Sequence, residues 1–573
     1  MLERPATGGT RAALVVFALA LALRLLYWQA TPDRDWAYSV AFKGDAPVWL
    51  ECARALQQGL PYDSGLPIHP PGAGYLVALL WNGLPTGLAF LRFAWALMGA
   101  LLVLVFYRAV ARSFSPWVAA AAAGWAAASS GLIVLSNSVN NETPYLLLAM
   151  GSLLLVDGRE LPASRLRLAG WSALHALATL VRVEHLLFYL LMLGLLAQRG
   201  RSQPRRTIPA LAGSAAMFVL LLVPWQVAAW TRVARFNREV PTGGSDEASL
   251  GAVERSLAHL AWEPAAAAAR DRLPGFVRRQ GSLFVAATVA HRGGTAVRGD
   301  DFRILDDAFG YQPRPVPPFP FVSLYGPLNF ALANHPGASG GFSRRPLAEP
   351  PPLRPSADRF PPSLVAGLPP AELTLVYPPH LRLFNDGYAI GTGFIAEDPS
   401  RFARLVARKL AIFWTGATSG FTGYDLPRGA AGLRRSVDML APEGWPARSF
   451  GLLVLGGCLV GLALAWRQPA LGGWLLWLAS KLVVTVLFFG YVRQGALVVP
   501  VVALLCALGL ERLAKARPAV GTLRALLTLA VFCLLLEAAR FARPGELWID
   551  GRRVTGRDPL PTWEHGDQRI EVR

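Results

Sequence analysis

Apolar runs long enough to cross a membrane recur along this sequence, and they constrain its fold more than any other feature. The runs cover residues 12–28, 88–107, 116–135, 143–157, 168–181, 185–198, 208–230, 450–466, 470–490, 495–510 and 520–539. A helix crosses the hydrocarbon core in about 20 apolar residues, and it satisfies its own backbone hydrogen bonds there. The sequence therefore predicts eleven helical spans, several of them short.

Composition agrees with a membrane protein. Of the 573 residues, 53% are hydrophobic and only 16% are charged, and the mean hydropathy is +0.37. Soluble domains carry roughly 25% charged residues, so the composition excludes disorder, collagen, coiled coils and small disulfide scaffolds. The net charge of +19 would suggest nucleic acid as a partner of a soluble protein. Because the arginines form short clusters between apolar runs, we interpret the charge as topology and predict no nucleic-acid partner.

The basic clusters fall at alternate ends of the apolar runs. They are Arg4 and Arg11; Arg108 and Arg112; Arg159, Arg165 and Arg167; Arg199, Arg201, Arg205 and Arg206; Arg467; and Arg512, Lys515 and Arg517. By the positive-inside rule these ends face the cytoplasm. The first run lacks a small-x-small cleavage site, so we expect an uncleaved span. A cytoplasmic N-terminus then puts residues 31–71, 136–142, 231–449 and the tail from 541 outside.

The predicted fold is an all-α polytopic bundle in four parts. An N-terminal transmembrane module covers 1–230 and contains a first outer loop at 31–87. A long outer loop follows at 231–449, then a C-terminal transmembrane module at 450–540 and an outer tail at 541–573. Proline clusters at 313–318 and 349–352 predict a largely irregular long loop. Within it we predict an amphipathic helix at 247–272 and an interfacial helix at 399–414.

The first outer loop contains the strongest candidate for catalysis. Asp45 precedes a short helical stretch, where its carboxylate is suited either to capping the helix or to acting as a general base toward an acceptor hydroxyl. Glu51 supplies a second carboxylate nearby. An acid at the outer surface beside apolar helices is a functional hypothesis in a membrane protein, so both interpretations of Asp45 stay open.

Three further groups have both a structural and a functional interpretation. Arg493 lies between the ninth and tenth spans, where it either snorkels or holds the phosphate of a lipid-linked donor through its planar guanidinium. Arg182 and Glu184 end the fifth span, and a local ion pair is the favoured interpretation. An aromatic and amide-rich part of the long loop suits either a turn or a sugar site. Its candidate residues are Tyr325, Asn334 and His335.

Several kinds of site are not indicated. Three of the four cysteines, Cys458, Cys506 and Cys533, lie in apolar runs and Cys52 stands alone, so no disulfide framework or thiolate metal site is predicted. The sequence contains no Walker loop, dinucleotide fingerprint, HExxH or CxxC. This pattern argues against an ATP-driven pump and against a soluble nucleotide-sugar donor. A polyprenyl-phosphate sugar suits the layout better, because such a lipid presents its head group at the outer face.

A family resemblance follows from the order of these motifs. An Asp follows the first span, a helix ends in Gly59-Leu60-Pro61-Tyr62, and His69-Pro70-Pro71 precedes an apolar aromatic run. The remaining motifs are Arg92, the stretch from Ser136 to Pro144, the helix 402–414 and the stretch from Tyr491 to Pro500. Together they resemble the GT-C superfamily of membrane glycosyltransferases. Within it the chain is most similar to bacterial relatives of the dolichyl-phosphate-mannose protein mannosyltransferases and of the aminoarabinose transferase that modifies lipid A.

The resemblance implies roles for three residues. Asp45 matches the loop acid that activates the acceptor or helps to hold a cation. Glu142 matches a second acid at the outer end of the third span; from its position alone it is equally well explained as a first-turn acid favoured by the helix dipole. His69 stands where relatives often carry Lys before Pro-Pro, a departure that weakens its assignment as a donor-phosphate contact. The family places such enzymes in the bacterial inner membrane with the active site facing the periplasm.

The function predicted from the sequence is therefore transfer of a sugar, with inversion, from a polyprenyl phosphate to a hydroxyl of an extracytoplasmic protein, lipid or polysaccharide. Asp45 and Glu142 would be catalytic. The donor would be bound by Arg493, His69, Arg182 and Glu184. The acceptor or the sugar would be contacted by Glu51, Tyr325, Asn334 and His335. No cofactor is required, a divalent cation is possible, and membrane lipids are partners. The alternatives are a transporter or flippase of lipid-linked sugars and a noncatalytic subunit of an envelope-glycan assembly complex.

Overall fold

A computed structural model describes most of the predicted membrane part and parts of the outer segments. The described residues are 7–30, 45–59, 62–83, 87–156, 160–162, 164–239, 315–342, 378–418, 445–515, 547–549, 552–553 and 570–572. The predicted helix at 247–272, the proline cluster at 349–352 and the eleventh span at 520–539 lie outside these residues.

The N-terminal module contributes ten helices to the described part of the chain. They are α1 (Thr7–Ala30), α2 (Ala46–Gln57), α3 (Pro71–Leu80), α4 (Leu88–Ala111), α5 (Pro116–Ala128), α6 (Ser130–Leu135), α7 (Glu142–Leu155), α8 (Arg165–Val181), α9 (His185–Arg199) and α10 (Pro204–Glu239). Several begin at a proline, whose fixed φ suits the first turn and whose missing N–H is not needed there.

Helix α4 is the centre of this module. It packs against α1, α5 and α7, and α7 in turn packs against α8. The buried face of α5 is almost entirely alanine, with Ala119, Ala122, Ala123 and Ala126 between 0% and 1% exposed. Without a hydrophobic driving force between helices in lipid, such small residues let backbones approach closely. The core therefore depends on close helix contact as well as on large side chains.

The predicted single span at 116–135 is wrong in one respect. The structure divides it into α5 and α6 at Ser129, whose backbone is extended, with φ −62° and ψ 121°. Ser129, Ser130 and Gly131 are poor helix formers in sequence, and serine also competes for backbone hydrogen bonds. Both serines are buried, so the break lies inside the bundle and leads into the outer link that ends at α7.

The remaining helices fall in the regions predicted as the long loop and the C-terminal transmembrane module. They are α11 (Tyr325–Ala333), α12 (Pro378–Glu397), α13 (Pro399–Ala417), α14 (Trp445–Ala465), α15 (Gly472–Leu487), α16 (Val492–Ala496) and α17 (Val499–Lys515). Helix α13 begins at Pro399 as predicted, and the Asp398 carboxylate caps it by accepting the N–H of Arg401 at 2.9 Å. Helix α17 packs against α5 and α14, which joins the two modules.

A small sheet in the tail was not predicted. Strand β1 (Leu547–Ile549) pairs antiparallel with β2 (Arg552–Arg553) on one side and with β3 (Ile570–Val572) on the other. Apart from this sheet, every regular element among the described residues is helical, so the predicted all-helical membrane fold is confirmed.

The number of spans is not confirmed. Within the described residues, four helical segments are long and apolar enough to cross a bilayer: Thr10–Gln29, Leu88–Ala111, Pro204–Arg235 and Pro469–Leu487. Apolar helices of 10 to 17 residues add to these, among them Glu142–Leu155 and His185–Arg199. The chain is a multi-pass membrane protein, and eleven spans remain a prediction.

Candidate active site

Five of the residues predicted to matter meet at one end of the bundle. Asp45 immediately precedes α2, Glu142 is the first residue of α7, and Arg493 lies in α16. Arg182 and Glu184 lie in the link between α8 and α9. Each position is a helix end, where the backbone leaves the apolar core and a charged side chain is tolerated. We call this group, with Lys481 described below, the charge cluster.

Asp45 and Arg493 form an ion pair although they are 448 residues apart in the sequence. Arg493 Nη1 donates to Asp45 Oδ2 at 3.0 Å. Asp45 stands at the N-cap position of α2, yet its side chain accepts no capping hydrogen bond. The amide of Asn140 instead holds the Asp45 backbone by accepting its N–H at 3.0 Å. The local capping role therefore does not account for Asp45, whose carboxylate faces the arginine.

Arg493 also contacts the second predicted acid. Its Nη1 lies 3.2 Å from Glu142 Oε1, and the side chains of Arg493 and Glu142 are only 11% and 2% exposed. An arginine that snorkels would extend its guanidinium into water. Here the guanidinium lies below the surface and contacts the carboxylates of Asp45 and Glu142. These contacts do not fit a snorkelling arginine.

Arg182 is more extensively bonded than Arg493. It donates from Nη1 to Glu142 Oε1 at 3.0 Å and to Asn141 Oδ1 at 3.1 Å, and from Nη2 to Gln494 Oε1 at 2.9 Å. Its Nε lies 3.2 Å from Glu184 Oε1, so the predicted local pair is present. All three guanidinium nitrogens are thus engaged, and Arg182 ties α7, the α8–α9 link and α16 together.

Lys481 belongs to the charge cluster and was missed by the sequence analysis. It lies in α15 with only 1% of its side chain exposed, and its Nζ donates to Glu184 Oε1 at 2.6 Å and to Tyr145 Oη at 2.5 Å. The signal was a lone lysine inside an apolar run, since an ionisable residue at membrane depth is a functional candidate by default. Gln494, which donates to Glu184 Oε1 at 3.0 Å, had no such signal.

The charge cluster is balanced yet leaves two polar atoms unsatisfied. It contains three acids, Asp45, Glu142 and Glu184, and three bases, Arg182, Lys481 and Arg493. Arg493 Nε and Glu142 Oε2 are buried without a hydrogen-bond partner in the part of the chain that the structure describes. An orphaned buried donor beside an orphaned acceptor is costly in a stable core, and such atoms are typical of sites that receive a ligand.

Electrostatics keep Asp45 and Glu184 ionised. For Glu184, burial alone would raise the pKa, but the charges of Arg182 and Lys481 outweigh burial and lower it from 4.5 to about 2. For Asp45, burial again opposes ionisation, and the Arg493 guanidinium outweighs it and holds the pKa below the ordinary value. We attribute this direction to charge because 45% of the Asp45 side chain is exposed, which limits the effect of burial.

His69 and Tyr325, predicted from distant parts of the chain, lie together. Their ring centroids are 5.1 Å apart, and the His69 ring also meets the edge of Trp49 at 5.6 Å. Trp49 is one helical turn after Asp45 and donates its backbone N–H to the Asp45 carbonyl at 3.2 Å. His69 therefore lies beside the beginning of α2, and its charge contributes to the lowered pKa of Asp45.

The other predicted site residues lie elsewhere. Glu51 is on the exposed side of α2. Asn334 is fully buried, where it accepts from Lys409 Nζ at 2.8 Å and donates to the carbonyls of Phe330 and Leu487 at 3.0 and 2.8 Å. His335 accepts the N–H of Gly337 at 3.0 Å in a turn. These contacts are those of packing and turn residues, and they favour the structural interpretation of both.

Comparison with known proteins gives a match to one family. Residues 68–226 match the family model described as dolichyl-phosphate-mannose-protein mannosyltransferase. The matched segment contains His69, Glu142, Arg182 and Glu184, whereas Asp45 and Arg493 lie outside it. No curated protein matches the sequence.

Solved structures give weaker likenesses. The oligosaccharyltransferase AglB of Archaeoglobus fulgidus, in complex with an inhibitory peptide and a dolichol-phosphate, is 12% identical with a TM-score of 0.39, over 94% of this chain and 56% of that one. The same enzyme in complex with Zn and sulfate is 13% identical with a TM-score of 0.36, over 93% of this chain and 53% of that one. ArnT from Cupriavidus metallidurans, bound to undecaprenyl phosphate, is 15% identical with a TM-score of 0.31, over 89% of this chain and 79% of that one.

These scores are too low to transfer details of fold or function, and the chain spans little more than half the length of the archaeal structures. The family match is the stronger finding, since the matched segment includes four of the candidate residues. Over residues 68–226 the chain is similar to the dolichyl-phosphate-mannose-protein mannosyltransferases, and the resemblance predicted from its motifs is confirmed.

Proposed function

We propose that this protein is a membrane glycosyltransferase that moves a sugar from a polyprenyl phosphate to a hydroxyl of an extracytoplasmic acceptor, with inversion. The observation that carries the proposal is the charge cluster at one end of the bundle, in which the buried Arg493 Nε has no hydrogen-bond partner among the described residues. A phosphate oxygen is a natural partner for a buried guanidinium N–H. The similarity of residues 68–226 to a dolichyl-phosphate-mannose-dependent family supports this class of donor.

Arg493 is the donor-phosphate ligand in this proposal. Arg182 has no nitrogen to spare, because carboxylates and amides already engage all three. Arg182 and Glu184, predicted as donor contacts, therefore act as supports that fix Glu142 and α16. Arg493 Nε has no partner in the described part of the chain, so a phosphate can bind there without displacing Arg182.

Asp45 is the proton acceptor. It is ionised at neutral pH and keeps 45% of its side chain exposed, so an acceptor hydroxyl can approach it from water. The hydroxyl oxygen attacks the anomeric carbon, its proton goes to Asp45, and the bond from carbon to phosphate oxygen breaks with its electron pair left on the phosphate. Glu142, held by both arginines, keeps Arg493 oriented toward that phosphate.

The sequence analysis left a divalent cation possible, and the contacts of the two acids bear on where one could bind. Among the described residues no group of three His, Cys, Asp or Glu side chains gathers, and Asp45 and Glu142 both already contact a guanidinium. These residues do not offer an open cation site, so we assign no step to a metal ion. We further place the protein in the bacterial inner membrane with the charge cluster facing the periplasm.

Turnover by the purified protein tests the proposal. The wild type is incubated with a panel of labelled polyprenyl-phosphate sugars and membrane extract, with and without a chelator, and transfer to acceptor is measured. We expect transfer from at least one donor. Movement of the labelled polyprenyl-phosphate sugar from one leaflet of a vesicle to the other, without formation of a new glycoside, would support the transporter alternative. Tight donor binding without turnover would support a noncatalytic subunit.

Asp45→Asn tests the assigned base, with Glu51→Gln as the matched control. The amide keeps the size of Asp45 but cannot accept the proton, and loss of a general base typically lowers rates by ~10²- to 10⁴-fold. We expect normal expression and donor binding with turnover nearly abolished, while the exposed Glu51 tolerates its substitution. Full turnover by Asp45→Asn would return the assignment to Glu142.

A further inference from the structure

The link between α6 and α7 is buried although most of its residues are polar. Four of these polar residues are only 1–2% exposed: Ser136, Asn137, Ser138 and Asn140. Helices α1 and α4 hold the link in place, since Arg24 Nε donates to Ser136 Oγ at 3.0 Å and Trp95 Nε1 donates to the Asn140 carbonyl at 2.9 Å. A buried polar stretch that is hydrogen-bonded to two neighbouring helices has a fixed position in the bundle.

The last two residues of this link and the first residue of α7 connect it to the charge cluster. Asn140 Oδ1 accepts the backbone N–H of Asp45 at 3.0 Å, and Asn141 Oδ1 accepts from Arg182 Nη1 at 3.1 Å. Glu142 follows directly and contacts the same Arg182 nitrogen at 3.0 Å. The base and the acid that orients the donor ligand are therefore both tied to one stretch of three residues.

Asp45 needs a contact besides its ion pair when the donor is bound. It shares Arg493 Nη1 with Glu142, at 3.0 and 3.2 Å respectively. The negatively charged oxygens of a phosphate bound at Arg493 compete for the same guanidinium, so the ion pair is weakest when Asp45 has to take the proton. The bond to Asn140 is made by the backbone of Asp45, so it withstands this competition and leaves both carboxylate oxygens available.

We propose that Asn140 is a positioning residue for the general base, because its side chain holds the Asp45 backbone in place relative to Glu142 while the donor occupies Arg493. This inference rests on the proposed function. The orientation of the amide fits the role, since Asn140 Nδ2 donates to the Ser138 hydroxyl and Oδ1 faces the Asp45 N–H. A misplacement of about 1 Å can cost ~10²-fold in rate, so a fixed backbone at the base matters for turnover.

Asn140→Leu tests this role, since leucine has a similar volume and no hydrogen-bond acceptor. In the full-length protein we expect kcat to fall by about 10- to 100-fold, with a donor KM within about twofold of the wild type. Asn140→Asp keeps an oxygen acceptor in either protonation state, so its kcat should exceed that of Asn140→Leu by about fivefold or more. Asn237→Leu is the matched control, because Asn237 Oδ1 also accepts a backbone N–H, that of Val316 at 2.9 Å, and its kcat should match the wild type.

Hydrogen exchange of the Asp45 amide, followed by mass spectrometry without substrate, gives a second measurement that does not depend on turnover. Exchange should be about tenfold faster or more in Asn140→Leu and close to the wild-type rate in Asn140→Asp. Asn140→Ala serves the same comparison if the leucine variant does not fold.

Three results would overturn the role of Asn140. They are equal amide exchange in the wild type and Asn140→Leu, a kcat of Asn140→Leu within twofold of the wild type, and a loss that is confined to donor KM or that Asn140→Asp does not recover. Absence of wild-type turnover would count against the proposed function, while amide exchange would still decide whether Asn140 holds Asp45.

Discussion

At the scale of single residues, the two arginines of the charge cluster have similar surroundings and different assigned roles. All three guanidinium nitrogens of Arg182 contact protein groups, whereas the buried Arg493 Nε has no hydrogen-bond partner among the described residues. Both are held by Glu142, so their effects on folding overlap. The difference between them is therefore best measured in donor binding.

Arg493→Ala is expected to weaken donor binding more than it weakens folding. One charge-assisted contact to phosphate is worth about 1.5–3 kcal/mol, which corresponds to a loss of roughly 10- to 150-fold in affinity. Binding of a polyprenyl-phosphate sugar to protein in detergent measures this loss. Arg401→Ala, which removes an exposed outer arginine, is the control and should bind normally. Unchanged affinity in Arg493→Ala would remove the arginine from the donor site.

The sequence revealed the members of the charge cluster that stand at helix ends. It missed Lys481, which comes from a helix interior, and the uncharged Tyr145 and Gln494 that contact the cluster. Asp45, Glu142 and Arg493 follow or precede apolar runs, so their positions alone suggest a shared surface. Lys481 and Tyr145 sit within apolar runs, where a side chain's direction depends on how the helix is rotated. The contacts of Lys481 with Tyr145 and Glu184 depend on tertiary packing, which no local sequence pattern contains.

At the scale of elements, the position of Arg493 depends on how closely α16 approaches α13. A methyl group on Gly416 would overlap the carbonyl of Val492, and one on Gly495 would overlap the carbonyl of Phe413. The two backbones therefore meet without side chains between them. This contact sets the place of the short helix that carries Arg493 and Gln494.

Gly416→Ala is expected to destabilise the protein by about 1–3 kcal/mol, the usual cost of overpacking, and to lower turnover by moving α16. Gly393→Ala is the matched control, since a methyl group at this helical glycine of α12 meets nothing within 4 Å. Alanine there should be neutral or stabilising by up to ~1 kcal/mol. Thermal unfolding in detergent measures both variants, and equal melting temperatures would refute the close contact.

Lys409 gives α13 a pH-dependent contribution to stability. Burial lowers the pKa of this lysine from 10.5 to about 7, while its Nζ donates to Asn334 Oδ1 and to the Val486 carbonyl. Between pH 7 and 10.5 the unfolded chain keeps a proton that the folded chain has lost. Stability must therefore rise with pH in this window, by at most about 1.4 kcal/mol per pH unit.

The measurement is the difference in melting temperature between wild type and Lys409→Met from pH 7 to 10. The difference should grow in favour of the wild type as pH rises, because methionine has no proton to lose. Lys515→Met, at a lysine whose side chain is 68% exposed, should show no such trend. A difference that stays constant with pH would mean that Lys409 remains charged in the folded protein.

At the scale of the whole molecule, the proposed chemistry requires all members of the charge cluster to face the outer compartment. Reporters fused after Ser64, after Pro350 and at Arg573 are expected to report that compartment, and a fusion after Gln203 the cytoplasm. Helix α9 begins next to Glu184 and ends at Arg199, about 22 Å further along its axis, and Gln203 lies just beyond that end. A cytoplasmic signal at Ser64 would overturn the mechanism.

The bundle was predictable at this scale and its interruptions were not. Apolar runs and arginine clusters are enough to predict helices that cross a membrane. The break at Ser129 interrupts a long apolar run, and the tail sheet pairs strands that are about 20 residues apart. Neither changes the hydropathy pattern from which the spans were predicted, so that pattern did not reveal them.

The ion pairs that join distant parts of the chain also affect how the protein is made. Glu184 and Lys481 are separated by 297 residues, and Asp45 and Arg493 by 448. At ~5–20 residues per second, a ribosome needs about 15–60 s to proceed from Glu184 to Lys481. During that interval Arg182 already has Glu142 and Glu184 within its own module, so nascent helices can be released into lipid with their charges largely compensated. Asp45, by contrast, gains its ion-pair partner Arg493 only when translation is nearly complete.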